Sequence, residues 1–138
     1  MLISTKGRYA MRLMIDLAQG NEKMSLREIA EFEGISQKYL EQLVRPLIKA
    51  GLVVGTRGKN GGYSLAKVKE CITAGDILRA VEGTTIPVAC SALESGCERG
   101  NTCNAVRFWA GLDRVIEEYV DGVTLADLTH GVLVDTLR

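Results

Sequence analysis

The chain has 138 residues, 46% of them apolar and 25% charged, with only two prolines, a make-up that suits a globular protein with a core of its own. No apolar run approaches the roughly 20 residues that span a membrane, and the N-terminal stretch lacks the apolar centre of a secretory signal; a cytoplasmic protein is expected, with no membrane partner. The net charge of zero hides an asymmetry: residues 1–69 hold 12 Lys/Arg against 6 Asp/Glu, and residues 70–138 hold 5 against 11. A basic half points to a polyanion as its partner.

A first helical stripe covers residues 8–19, with Ala10, Leu13, Met14, Leu17 and Ala18 on one side. Ser25-Leu-Arg-Glu28 is a capping box that opens a short helix, with Leu26, Ile29 and Ala30 inward and Gly34 as its stop. Ser36 then caps a third helix whose inner stripe is Tyr39, Leu40, Leu43, Val44 and Leu47. Pro46 sits inside it; an interior proline costs about 3 kcal/mol, so a bend or an early end is expected near Arg45, with a last turn through Lys49 and Gly51 as terminator. Two short strands follow, at 52–56 and 63–65, around a basic, glycine-rich loop at 57–62.

Helix, turn, helix and hairpin in this order predict a mainly α protein with a winged helix-turn-helix DNA-binding domain and a small β-hairpin wing. Ser36, Gln37, Lys38, Glu41 and Gln42 lie near the start of the third helix, where short or flexible polar groups reach base edges in the major groove. Arg57 and Lys59, beside Gly58 on an open backbone, suit phosphates or the minor groove. Lys6 and Arg8 begin the first helix, whose free backbone amides also favour phosphate.

Beyond Lys69 the pattern restarts. Thr73-Ala-Gly-Asp76 caps a helix carrying Ile77, Leu78 and Val81 and closed by Gly83, and a longer amphipathic helix runs over 104–121 with Val106, Trp109, Leu112, Ile116 and Tyr119 on or near one face. Gly122 ends it, and Thr124-Leu-Ala-Asp127 caps a final short turn. The chain thus divides into a DNA-binding domain (1–69), a connecting helix with a cysteine-bearing loop (70–103), and a long helix with a tail (104–138). Cys71, alone beside Ile72, reads as a small buried hydrophobe.

Cys90, Cys97 and Cys103 crowd into one stretch rich in glycine and small polar residues. In a reducing compartment such a group is a ligand set or a redox centre before it is a set of disulfides. Three readings stay open: an iron–sulfur cluster with one further ligand, a zinc site with one further ligand, or a thiol–disulfide pair. Intervals of six and five residues exceed the knuckles that favour zinc, and neither is a Cys-x-x-Cys motif, so spacing leans mildly toward a cluster. No nucleophile–base set is visible, and the 58–62 glycines lie between strands instead of opening a helix, so catalysis is not expected.

Ser4-Thr-Lys-Gly-Arg-Tyr-Ala10, Ile35-Ser-Gln-Lys-Tyr-Leu-Glu-Gln-Leu43, Gly51-Leu-Val and Arg57-Gly-Lys-Asn-Gly-Gly-Tyr63, with Ile72-Thr-Ala-Gly-Asp-Ile77 and Thr124-Leu-Ala-Asp-Leu128, resemble the Rrf-type winged-helix transcriptional regulators (IscR/NsrR/CymR-like) over nearly the whole chain. The resemblance implies a homodimeric transcription factor whose long helix crosses its twin and whose two heads read a roughly palindromic operator. It places DNA contacts at Ser36, Lys38, Tyr39, Glu41 and Gln42 and on the wing at Arg57 and Gly58. It also implies the cluster-binding branch, with Cys90, Cys97 and Cys103 as ligands of an iron–sulfur cluster, 2Fe-2S in preference to 4Fe-4S, that modulates operator binding in response to cluster supply, oxygen or nitric oxide. The fourth ligand departs from the family's patterns: the position of a histidine in one branch is Val106, and that of an aspartate in another is Arg8. Glu94, Glu98 and Asn104 remain candidates, while the lone His130 reads as an ordinary exposed residue. The alternatives are a cluster-free or zinc-binding regulator, or an interaction module acting with an enzyme of cysteine metabolism; family members of that last kind dispense with the cysteine trio.

Overall fold

The computed structural model describes residues 3–20, 23–87 and 103–131. Ser4 caps α1 (Thr5–Gln19), its Oγ accepting from Gly7 N at 3.3 Å. The helix therefore begins before residue 8, because Ser4 supplies a cap ahead of the apolar stripe. Gly7 leaves room for a close approach: a Cβ there would displace the Glu82 carboxylate, which accepts from Ser4 N at 3.1 Å and from Ser4 Oγ.

The capping box of α2 (Leu26–Glu33) forms as expected: Glu28 N donates to Ser25 Oγ at 3.1 Å and Ser25 N to Glu28 Oε2 at 2.9 Å. Gly34 ends the helix in the left-handed region at φ 68°, which a residue with a Cβ adopts only with strain. Ser36 Oγ accepts from Tyr39 N at 3.1 Å and starts α3 (Gln37–Lys49). Of the two outcomes expected at Pro46 the early end does not occur, and the helix runs through its expected last turn to Lys49. The proline withdraws only the donor owed to the carbonyl of Gln42, an exposed residue whose backbone water can serve.

β1 (Val53–Thr56) and β2 (Gly62–Leu65) pair antiparallel, from Val53 opposite Leu65 to Thr56 opposite Gly62. A third backbone segment joins them. Met24 N donates to Tyr63 O at 3.0 Å and Tyr63 N to Met24 O at 2.8 Å, which staples the α1–α2 connection to the hairpin.

After a 3-10 turn (Lys69–Cys71), Thr73 and Asp76 form the reciprocal cap of α4 (Ala74–Glu82). The long helix α5 (Asn104–Gly122) follows, then α6 (Leu125–His130) under the reciprocal cap of Thr124 and Asp127. The two capped starts are tied together: Ala74 N donates to Val123 O at 2.8 Å and Leu125 N to Ile72 O at 2.7 Å. Cys71 is exposed, contrary to the buried position expected of it. It ends the 3-10 turn, and Ile72 beside it takes the buried place.

One core joins these pieces. Leu13, Met14, Ile29, Leu40, Leu43 and Leu47 from the first three helices meet Ile72, Ile77 and Leu125 from the later elements, all fully buried. Each such side chain contributes about 1.5–3 kcal/mol by leaving water. Ala74, Val120 and Val123 form a smaller core where α5 meets α4. The result is mainly helical with a two-stranded wing, as expected from the sequence.

Candidate nucleic-acid interface and cysteine segment

The cap at Ser36 aims the first turns of α3 outward. Ser36, Lys38, Glu41 and Gln42 are exposed, while Leu40, Leu43, Val44 and Leu47 hold the opposite side of the helix in the core. Arg57, Gly58 and Lys59 are exposed in the loop between the two strands, and Gly58 adopts φ 111°, a left-handed value suited to glycine. Lys6 and Arg8 are exposed on the first turn of α1.

Two tyrosines bring the start of α1 to the start of α3. Tyr39 is half-buried and meets Tyr9 edge-to-face, with ring centroids 5.9 Å apart. The Arg12 guanidinium lies 5.2 Å from the centre of the Tyr9 ring and also pairs with Glu33 at the end of α2. Tyr9 and Arg12 were not singled out in the sequence; no local spacing signals a contact between the first and third helices.

Beneath Arg12 lies a buried acidic pair that sequence reading also missed. Asp16 is 8% exposed, and its Oδ2 has no hydrogen-bond partner among the described residues. Burial, then the neighbouring Glu33 carboxyl, pushes the Asp16 carboxyl up to about 7, with Arg12 opposing. Near neutrality Asp16 is therefore partly protonated, beside Glu33 at the end of α2 and with Arg12 as the nearby positive charge.

Of the cysteine trio, Cys103 lies within the described residues; Cys90 and Cys97, with Glu94 and Glu98, lie outside them. Cys103 is half-buried, forms no disulfide among the described residues and occupies the N-cap of α5 without a side-chain capping bond. Asn104 is exposed, Val106 half-buried, and His130 exposed at the end of α6. The far end of α5 is clamped to α4: Arg79 donates both terminal nitrogens to Asp121, at 2.8 and 2.9 Å. That bidentate pair holds the Asp121 carboxyl below its ordinary range. Between these ends Phe108, Val115 and Tyr119 stand exposed on α5.

Among the described residues no helix is long and apolar enough to cross a membrane. The family model Rrf2, described as an iron-dependent transcriptional regulator, matches residues 3–131. The HTH-type transcriptional regulator CymR of Bacillus subtilis is 43% identical over 130 residues, covering 93% of this chain and 89% of that protein. The HTH-type transcriptional regulator IscR of Yersinia pseudotuberculosis is 38% identical over 132 residues, covering 94% and 80%. The solved structure of CymR, the global cysteine regulator of B. subtilis, superposes with a TM-score of 0.78 at 41% identity, covering 94% of this chain and 97% of that one. The chain belongs to the Rrf2 family and is a DNA-binding transcriptional regulator, not an enzyme.

Proposed function

We propose that this regulator works in the cytoplasm as a homodimer on a roughly palindromic operator, and that an iron–sulfur cluster held by Cys90, Cys97 and Cys103 modulates its grip. The single observation that carries the cluster is the sequence itself: three thiols fall within one short stretch immediately ahead of α5. Thiolates select soft metals and clusters. The described member of the trio fits, since the Cys103 sulfur is spent neither on a disulfide nor on capping its helix. The family description as iron-dependent and the likeness to IscR support the same reading. When bound, a cluster supplies a centre that forms or decays with iron, oxygen or nitric oxide; 2Fe-2S is preferred, and the fourth ligand is left open.

The protein's own residues do the reading. Ser36, Lys38, Glu41 and Gln42 present donors and acceptors to base edges, Gln42 being suited to adenine and Glu41 to the cytosine amino group. Tyr39 divides its ring between Tyr9 and the phosphate side, while Arg57, Gly58 and Lys59 track the backbone, with Lys6 and Arg8 adding phosphate contacts. Phe108, 62% exposed, with Val115 and Tyr119, forms an apolar face on α5 that a second copy of the chain would cover. Two heads joined there meet half-sites about 34 Å apart, one helical turn. A coupling of roughly 1–3 kcal/mol between cluster state and head geometry changes operator affinity about 5- to 150-fold.

The likeness to CymR favours a second reading, a cluster-free regulator of cysteine metabolism. Anaerobic purification with an optical spectrum and analysis of iron, sulfide and zinc separates the two. A visible chromophore with iron and sulfide in the preparation, lost in Cys97→Ala while the variant stays folded, supports the cluster. A colourless protein after anaerobic reconstitution, or one holding a single zinc, removes it.

A further inference from the structure

A cleft of about 920 Å³ opens between the end of α1, the start of α2 and the hairpin loop. That volume is within the range of small-molecule sites, roughly 300–1,000 Å³. Leu17, Ala18 and Leu65 form the apolar part of its lining, beside Ser25, Gly61 and Ser64, and its exposed margin carries Lys23 and Lys59. Among the described residues neither lysine joins an ion pair, and the acidic lining residue Glu28 already accepts from the Ser25 backbone amide at 2.9 Å. An apolar patch beside serine hydroxyls and two cations without a described counter-charge complements an anion with a short hydrocarbon body, Lys59 serving both this anion and the DNA backbone. Double-stranded DNA would use the cations and leave the apolar patch idle.

We propose that this cleft binds a small organic anion, a carboxylate or phosphate monoester on an aliphatic body, with the anionic group between Lys23 and Lys59. The same site has a path to the wing. Met24, next to Lys23, is hydrogen-bonded in both directions to Tyr63 of β2, and Gly61 N donates to Gly58 O at 2.9 Å. A Cβ at Gly61 would collide with the Thr56 carbonyl, so the turn is tight and Gly58 moves with Gly61. An anion drawing Lys59 toward Lys23 therefore shifts the segment that presents Arg57 and Gly58; this consequence, unlike the binding itself, rests on the wing being a DNA contact.

Hexanoate titrated into ¹⁵N-labelled full-length protein tests the site through the amide signals of Gly61, Ser64 and Leu65. Saturable shifts are expected there, absent with the neutral hexanamide, and an affinity about tenfold weaker in Lys23→Gln, the loss of one charge-assisted contact. Hexanoate is also expected to change wild-type affinity for a duplex DNA, and to do so less in Lys23→Gln. No saturable shift, or equal shifts with hexanamide, overturns the proposal. If Lys23→Gln without added anion loses as much duplex affinity as hexanoate affinity, the cleft holds a DNA phosphate and the small-molecule assignment fails. The hexanoate arm contains no DNA, so a protein that binds hexanoate but no duplex keeps the cleft and refutes the DNA reading alone.

Discussion

Replacing Asp16 with Asn should make the protein more stable, and by more at alkaline pH than in acid. The Asp16 carboxyl rises from 3.8 to about 7 on folding, chiefly through burial and then through Glu33. A group raised in this way stabilises fully below its unfolded value, near 4. Its contribution is lost between about 4 and 7, where the unfolded chain has released a proton that the folded state still holds. Three pKa units correspond to at most about 4 kcal/mol, and solvent screening reduces this to on the order of 2 kcal/mol. Asn has nearly the same shape, and its amide donates to Glu33 at every pH. Urea unfolding of both proteins at pH 5 and pH 8.5, at equal protein concentration, should give the smaller difference in acid. A gain on the order of 1 M is expected for Asp16→Asn in base. A difference that does not change with pH, or a less stable Asn variant at pH 8.5, would refute the account of a carboxyl raised by burial.

Three further outcomes are expected. Arg57→Ala should weaken binding to all duplex sequences and lower the log–log salt slope by roughly one, read by titration at several salt concentrations; an unchanged slope removes the wing from the phosphates. Val115→Asp, at a position 59% exposed on α5, should shift sedimentation toward monomer with little change in far-UV circular dichroism, and an undisturbed oligomer would place the interface elsewhere. Ser25→Ala should cost about 1 kcal/mol in urea unfolding by removing the α2 cap, and a neutral result would mean that Glu28 does not depend on its partner.

The helix starts were legible because their determinants are local. Ser25, Ser36, Thr73 and Thr124 each bond a backbone amide within three residues, so four adjacent letters carry the whole signal. The inner stripes of α1 and α3 were legible for the same reason, through periodicity. Long-range pairing was not. Asp16 stands next to the apolar stripe of α1 and would be solvated on an isolated helix; Arg12 is its neighbour one turn back on α1, but Glu33 meets them only once α2 has packed. The Met24–Tyr63 bridge joins residues whose partnership no hairpin rule signals, and Val120 and Val123 gain their burial from Ala74 with Met11, Leu78 and Leu128 around them. Cys71 misled because composition scales describe an average cysteine, whereas this one ends a turn with Ile72 taking the inward place. The early end weighed at Pro46 does not occur because the cost of an interior proline assumes a carbonyl with no other partner, and that of Gln42 belongs to an exposed residue.

The position of Cys103 gives α5 the character of a lever. At 1.5 Å per residue its 19 residues span about 28 Å. The lower end is fixed to the reading head three times over: by the Arg79–Asp121 pair, by the backbone bonds that join 72–74 to 123–125, and by the small core of Ala74, Val120 and Val123. Leu125, just beyond, is fully buried in the same core as Leu40 and Leu43 of α3. A helix held so firmly at one end transmits reorientation at the other as rotation of the whole body instead of bending, because close-packed contacts yield little to gradual deformation. Cys103 caps the opposite end, and the exposed Phe108, Val115 and Tyr119 lie along the shaft between. Whatever binds at Cys103 therefore acts on the element that carries the proposed dimer face and is bolted to the head. In the proposed dimer the sequence order of cysteines, long helix and capped return is thus also a mechanical order, with the distance between two reading helices as its output.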